Sequence, residues 1–204
     1  MTIRGLYVVT DARCCGEGGA ARVEAALRGG ARMLQLRCKD PRLSLETARR
    51  LVSLGHAFGV PVIVNDDIEL ARRAGADGVH LGEEDGDITE ARSVLGAHAI
   101  IGASCYASLT RAREAALQGA DYLAFGRFFP SRTKPEAVRA TPDLLVAARS
   151  LGKPLVAIGG VLPENAGPLI AAGASVVAVV DGVFGADDIT GAARAYQHLF
   201  EEPL

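Results

Sequence analysis

Residues 30–36 read GARMLQL, and the same opening returns as GADGVHL at 75–81, GADYLAF at 119–125 and GASVVAVV at 173–180. Each copy begins Gly-Ala and runs into a short apolar, β-rich stretch, at offsets of 45, 44 and 54 residues. Between the copies stand four more strand-like runs: LYVVT at 6–10, PVIVND at 61–66, HAIIGAS at 98–104 and KPLVAIGG at 153–160. The connecting segments, among them GAARVEAALRG and SLTRAREAALQG, carry Ala, Leu and Val at three-to-four spacing with Arg and Glu on the other faces, the pattern of amphipathic helices. Glycine closes nearly every one, as expected at a helix end that needs positive φ. Strict alternation of this kind indicates parallel strands buried on both faces. Eight such units predict an α/β protein, a (β/α)8 (TIM) barrel forming a single domain over residues 1–204, with tight loops and no separate lid domain. The alternative is an open doubly wound sheet, but no G-x-G-x-x-G follows the first strand, where LYVVTDARCCGEGG reads as an ordinary loop.

Composition agrees with one domain: 204 residues with 49% hydrophobic content bury a full core. The formal net charge is −2 and the charges are scattered, so nothing marks a nucleic-acid or membrane surface. MTIRGLYVVT is too short in its apolar part to read as a secretory signal. The uncharged, largely apolar run 165–180 is broken by Pro168 and Gly173 and falls short of a membrane span. Cys14, Cys15, Cys38 and Cys105 show no C-x-x-C spacing, and two of them are neighbours, which speaks against a disulfide framework. These features predict a soluble, cytoplasmic protein. They leave the oligomeric state open, a homo-oligomer included.

In such a barrel the chemistry sits where strands end. The stretch MLQLRCKD at 33–40 alternates like a strand, yet Gln35, Arg37 and Lys39 share a face with Met33. These side chains suit a structural ion pair or an anion; three long polar groups on one inward face carry a heavy desolvation cost unless an anion or water meets them. The third strand ends in Asn65, Asp66 and Asp67, the fourth in His80 followed by Glu83, Glu84 and Asp85. Asp67 reads as the N-cap of the helix that follows. Asp66 and Asp85 terminate adjacent strands and together suit a magnesium ion, which takes oxygen ligands and is completed by water and phosphate. Ser104 ends the fifth strand. The sixth runs into FPSRTKP, where Lys134 joins the cations and Arg132 reads as solvent-facing. IGG and VVDG after the last two strands offer backbone N–H groups to a phosphate. Two phosphorylated small molecules meeting head-on would account for both ends.

Taken together and in order, LYVVTD, GGARMLQLRCKD, VNDDIELARRAGADGVHLGEED, IGASC, GRFFPSRTKP and VAIGGVLPENA resemble the thiamine-phosphate synthase (thiamine phosphate pyrophosphorylase) family through nearly the whole chain. The resemblance implies a (β/α)8 barrel and a transferase that joins a hydroxymethylpyrimidine diphosphate to a thiazole phosphate, releasing pyrophosphate with Mg2+. By position it implies that Gln35, Arg37, Lys39, Asn65, Ser104 and Lys134 hold the pyrimidine diphosphate, with Arg37, Lys39 and Lys134 as the catalytic cations. Asp66 and Asp85 would bind the metal. Ser131, Thr133 and the backbone at Gly160, Val180 and Asp181 would hold the thiazole phosphate.

Four positions depart from the family pattern. Cys38 stands where an acidic residue is common, Glu83 for glutamine, Ser131 for threonine and Asp181 for serine. Cys38 is expected to pack, and the Asp181 side chain to turn outward from the phosphate. Two rivals remain. The thiazole tautomerase relative shares the barrel but uses a histidine where this chain has Tyr106. A non-catalytic phosphate-ligand sensor would not need the whole cation and metal set.

Overall fold

The computed structural model describes residues 3–38, 43–130 and 138–201. In chain order these hold β1 (Gly5–Val9), α1 (Ala12–Cys15), α2 (Gly19–Arg28), β2 (Met33–Leu36), α3 (Leu45–Ala57), β3 (Val62–Asn65), α4 (Ile68–Ala74), β4 (Gly78–Leu81) and α5 (Ile88–Leu95). There follow β5 (Ile100–Tyr106), α6 (Leu109–Leu117), β6 (Tyr122–Phe125), α7 (Pro142–Ala148), β7 (Leu155–Ile158), α8 (Pro163–Ala172), β8 (Val176–Val179), α9 (Asp181–Phe184) and α10 (Ile189–His198). All neighbouring strands pair in parallel, and β8 returns to β1 to close the barrel. The eight strands fall where the sequence places them. Two four-residue helices, α1 and α9, arise inside stretches that read as loops, because single helical turns are too short to show a periodicity.

The Gly-Ala repeat has a mechanical meaning. Gly75 and Gly173 close α4 and α8 with φ of 70° and 119°, a region costly for other residues. Two residues on, the chain hooks the strand before: the backbone N–H groups of Arg32, Asp77, Asp121 and Ser175 donate to the carbonyls of Leu6, Val62, Ile101 and Leu155. In the Gly-Ala-Asp copies the side chain hooks back as well. The Asp77 carboxylate accepts from Val62 N at 2.7 Å and the Asp121 carboxylate from Ile101 N at 2.8 Å. Each repeat thus sets the register of a strand pair at the foot of the barrel.

Strand parity divides the core in two. Leu34, Leu36, Val62, Val64 and their like pack outward beneath the helices. Tyr7, Val9, Met33, Ile63, Tyr122, Val156 and Val176 fill the barrel itself. Met33 and Gln35 are buried on that inner side, so the polar face of MLQLRCKD does point inward. One sequence expectation is overturned here. Cys38 does not merely pack: it is bonded to Cys15, 23 residues earlier, with the Cα atoms 6.6 Å apart. Spacing along the chain could not reveal this, because the turn after β1 and the end of β2 become neighbours only through strand pairing. Among the described residues no helix is long and apolar enough to cross a membrane.

Candidate active site

A cavity of about 570 Å³ opens at the C-terminal ends of the strands. Its walls include Gln35 and Arg37 from β2 and its turn, Asn65 from β3, Ser104 from β5, Gly159 and Gly160 after β7, and Val180 and Asp181 after β8. The polar end of β2 and the glycine-rich end of β7 therefore face one space. Asp66 and Asp85 do not line it. Lys39, Ser131, Thr133 and Lys134, with Arg132, lie outside the described residues.

The floor is a chain of hydrogen bonds. Gln35 Nε2 donates to the Tyr7 hydroxyl at 2.9 Å, and the Tyr7 and Tyr122 hydroxyls are 2.9 Å apart. Tyr122 lies 3.0 Å from His80 Nδ1, and His80 Nε2 lies 2.9 Å from Ser104 Oγ. An amide nitrogen can only donate, so the Tyr7 oxygen accepts at that end; each hydroxyl and the imidazole beyond it can donate or accept, and the bonds run unbroken from Gln35 to Ser104. Burial holds both Tyr7 and Tyr122 well above the ordinary phenol range, so the chain stays protonated.

This chain of bonds joins five strands because one residue is missing a side chain. Gly102 on β5 sits in register between His80 and Tyr122. A Cβ there would lie 2.0 Å from the Tyr122 ring, so only glycine lets that ring cross to stack on His80, 5.5 Å away at 12°. Tyr7, Tyr122 and Gly102 were not singled out from sequence, and His80 was assigned no role. The signal lay in parity, since each occupies an inward position of its strand.

The far wall is backbone. Gly159 and Gly160 adopt φ of 98° and 65°, and a Cβ on Gly160 would sit 2.3 Å from the Pro130 carbonyl oxygen. The IGG turn therefore packs directly on the chain leaving β6. Beside it the Asp181 carboxylate accepts from Arg13 at 2.6 Å, and Arg13 also grips Asp11. The carboxylate is held there by a cation on α1.

At the rim, Asp66 has φ of 66° and its N–H donates to the His80 carbonyl at 2.9 Å. Asp85 Oδ2 accepts from Gly82 N at 3.1 Å. Among the described residues no group of three or more His, Cys, Asp or Glu side chains gathers around a metal position. Two carboxylates after adjacent strands are hard oxygen donors, and such a pair fits magnesium, which keeps several positions for water and phosphate. Asp67 does what its sequence position suggests, capping α4 through Leu70 N at 2.7 Å.

The family model described as thiamine monophosphate synthase matches residues 6–183. The chain belongs to that family. It is 52% identical over 201 residues to the thiamine-phosphate synthase of Marinobacter nauticus, covering 96% of this chain and 90% of that one. It is also 52% identical over 205 residues to that of Chromobacterium violaceum, covering 97% of each. The solved thiamine phosphate pyrophosphorylase of Pyrococcus furiosus is 34% identical and superposes with a TM-score of 0.84 over 97% of this chain and 95% of that one. As a member of the thiamine monophosphate synthase family, the chain is an enzyme, a transferase of thiamine biosynthesis. At the position where the tautomerase relative would carry histidine, Tyr106 lines the cavity with its hydroxyl accepting from Glu83 N at 3.4 Å.

Proposed function

We propose that the enzyme joins an aminopyrimidine bearing a CH₂-diphosphate to a thiazole phosphate, forming thiamine phosphate and releasing pyrophosphate, with magnesium as its metal and the cytoplasm as its compartment. The observation that carries this reading is the single cavity, polar and cationic at the end of β2 and amide-lined at Gly159-Gly160. A diphosphate suits the first end. A monophosphate suits the second, where glycine lets backbone N–H groups approach closely.

Gln35 spends one amide proton on Tyr7 and retains an acceptor oxygen and a second proton. That pair complements the amino group and ring nitrogen of an aminopyrimidine edge. Ser104, held by His80, adds a hydroxyl group. Arg37, with Lys39 and Lys134 by their place in the sequence, would face the diphosphate. Asn65 borders the same group, while Ser131 and Thr133 belong with Gly160, Val180 and Asp181 on the thiazole phosphate.

Breaking the pyrimidine CH₂–O bond before the thiazole nitrogen attacks puts positive charge on the pyrimidine and negative charge on the leaving pyrophosphate. Arg37, Lys39 and Lys134 would stabilise that second charge, and preorganised charge of this kind is often the largest catalytic contribution. No protein nucleophile is needed. Asp66 and Asp85 would hold magnesium, which when bound neutralises diphosphate oxygens.

The test is pyrophosphate release by the purified protein given both substrates, with magnesium and then with EDTA. Release that needs both substrates and stops with EDTA is the expected result. Release from the pyrimidine diphosphate alone, or undiminished with EDTA, would overturn the coupled, metal-dependent reading.

A further inference from the structure

The four cysteines fall into two chemical classes. Cys14 on α1 and Cys105 on β5 are buried, and burial pushes their thiols up to about 11 and about 12. Such thiols are protonated at neutral pH and inert toward exchange. Cys15 and Cys38 are only half-buried, within reach of a small molecule, and they are the two that are bonded.

Their bond joins two elements of the cavity rim. Cys15 ends α1, the helix whose Arg13 lines the cavity and holds Asp181. Cys38 directly follows Arg37, which lines the cavity at the end of the neighbouring strand β2. Arg37 is already held by other means: its N–H donates to Thr10 Oγ1 at 2.8 Å, and Thr10 Oγ1 donates to its carbonyl at 3.2 Å. The disulfide therefore adds its constraint one residue later, between the end of β2 and the end of α1. In a compartment that keeps thiols reduced, a half-exposed bond of this kind is a sensor rather than a staple.

We propose that Cys15 and Cys38 form a reversible thiol–disulfide pair that sets the affinity of the cationic end of the cavity for a diphosphate. The proposal rests on the assignment of that end under Proposed function. The oxidant is a small-molecule disulfide of the glutathione class. One cysteine thiolate attacks it, forming a mixed disulfide and expelling one small thiolate; the second cysteine attacks the protein sulfur of that mixed disulfide and expels the other. Two protein thiols become one disulfide while one small disulfide becomes two thiols. Excess thiol reverses both steps. The linked form binds better because the end of α1, with Arg13, and the end of β2, with Arg37, are already tied together when the anion arrives.

The full chain is equilibrated with glutathione disulfide or with dithiothreitol, alkylated under native conditions and mapped by mass spectrometry. Affinity for inorganic pyrophosphate is then measured by calorimetry, and KM for both substrates by pyrophosphate release. The expected map links Cys15 to Cys38 in the oxidised sample and alkylates both in the reduced one, with Cys14 and Cys105 unlinked throughout. Reduction weakens pyrophosphate binding and raises KM for the pyrimidine diphosphate by roughly three- to tenfold, the weight of about one side chain held in place before binding. Cys15→Ser behaves as the reduced form in either buffer. Absence of the linked peptide after oxidation overturns the site. A linked peptide with unchanged pyrophosphate affinity overturns its regulatory role. Absent turnover alongside the expected map and calorimetry would count against the assigned reaction, not against the pair.

Discussion

The Tyr122 hydroxyl is bonded on two sides, to the Tyr7 hydroxyl at 2.9 Å and to His80 Nδ1 at 3.0 Å, with no water-facing surface on the ring. Removing one oxygen there leaves two buried polar groups short of a partner, and that costs more than a bond is worth. Tyr122→Phe is therefore expected to lower unfolding stability by about 1–3 kcal/mol, read from urea denaturation. Its ring still fits over Gly102, so packing alone predicts almost no change. A variant as stable as the parent would mean that the hydroxyl chain is not maintained in solution.

Among elements, the turn after β7 carries the thiazole-phosphate proposal. Gly160 combines a φ of 65° with backbone 2.3 Å from where a Cβ would be, so its conformation and its contact both exclude a side chain. Gly160→Ala is expected to displace the IGG turn, costing about 1–3 kcal/mol of strain. The kinetic consequence is selective: KM for the thiazole phosphate should rise by roughly tenfold or more, while KM for the pyrimidine diphosphate changes little, since Gln35 and Arg37 sit on the opposite wall. Equal losses on both substrates, read from initial rates, would dissociate the turn from the phosphate.

For the molecule as a whole, three of the four tyrosines tie stability to pH. Burial raises Tyr7, Tyr122 and Tyr196 above their ordinary value of 10.0 in the folded state. The unfolded chain then releases protons at lower pH than the folded one. Stability from these groups is fully present below pH 10.0 and is lost as pH rises beyond it toward their folded values. Urea midpoints from about pH 8 to about pH 11 should stay level and then fall, and tyrosinate absorbance should appear with unfolding. Ionisation of all the tyrosines in the still-folded protein would contradict the dry floor beneath the cavity.

Much of this molecule was legible in one dimension. The Gly-Ala openings mark the strands because each copy performs the same local act, ending a helix and hooking the strand before it. Side-chain parity repeats every two residues, so the inward turn of Gln35 was readable from Met33 and its neighbours. Gln35, Arg37, Asn65, Ser104, Gly160, Val180 and Asp181 reach one cavity because they end strands or open the loops after them, and strand ends are positions along the chain. What tertiary structure alone decided are the contacts between strands. Tyr122 reaches His80 only because Gly102 lies between them in the closed sheet. Arg13 meets Asp181 across 168 residues only because β8 returns to β1. Cys15 meets Cys38 only because β1 pairs with β2. A sequence specifies which face each residue shows, but barrel closure selects the partner it meets there, since that choice depends on register and on the space a neighbouring glycine leaves.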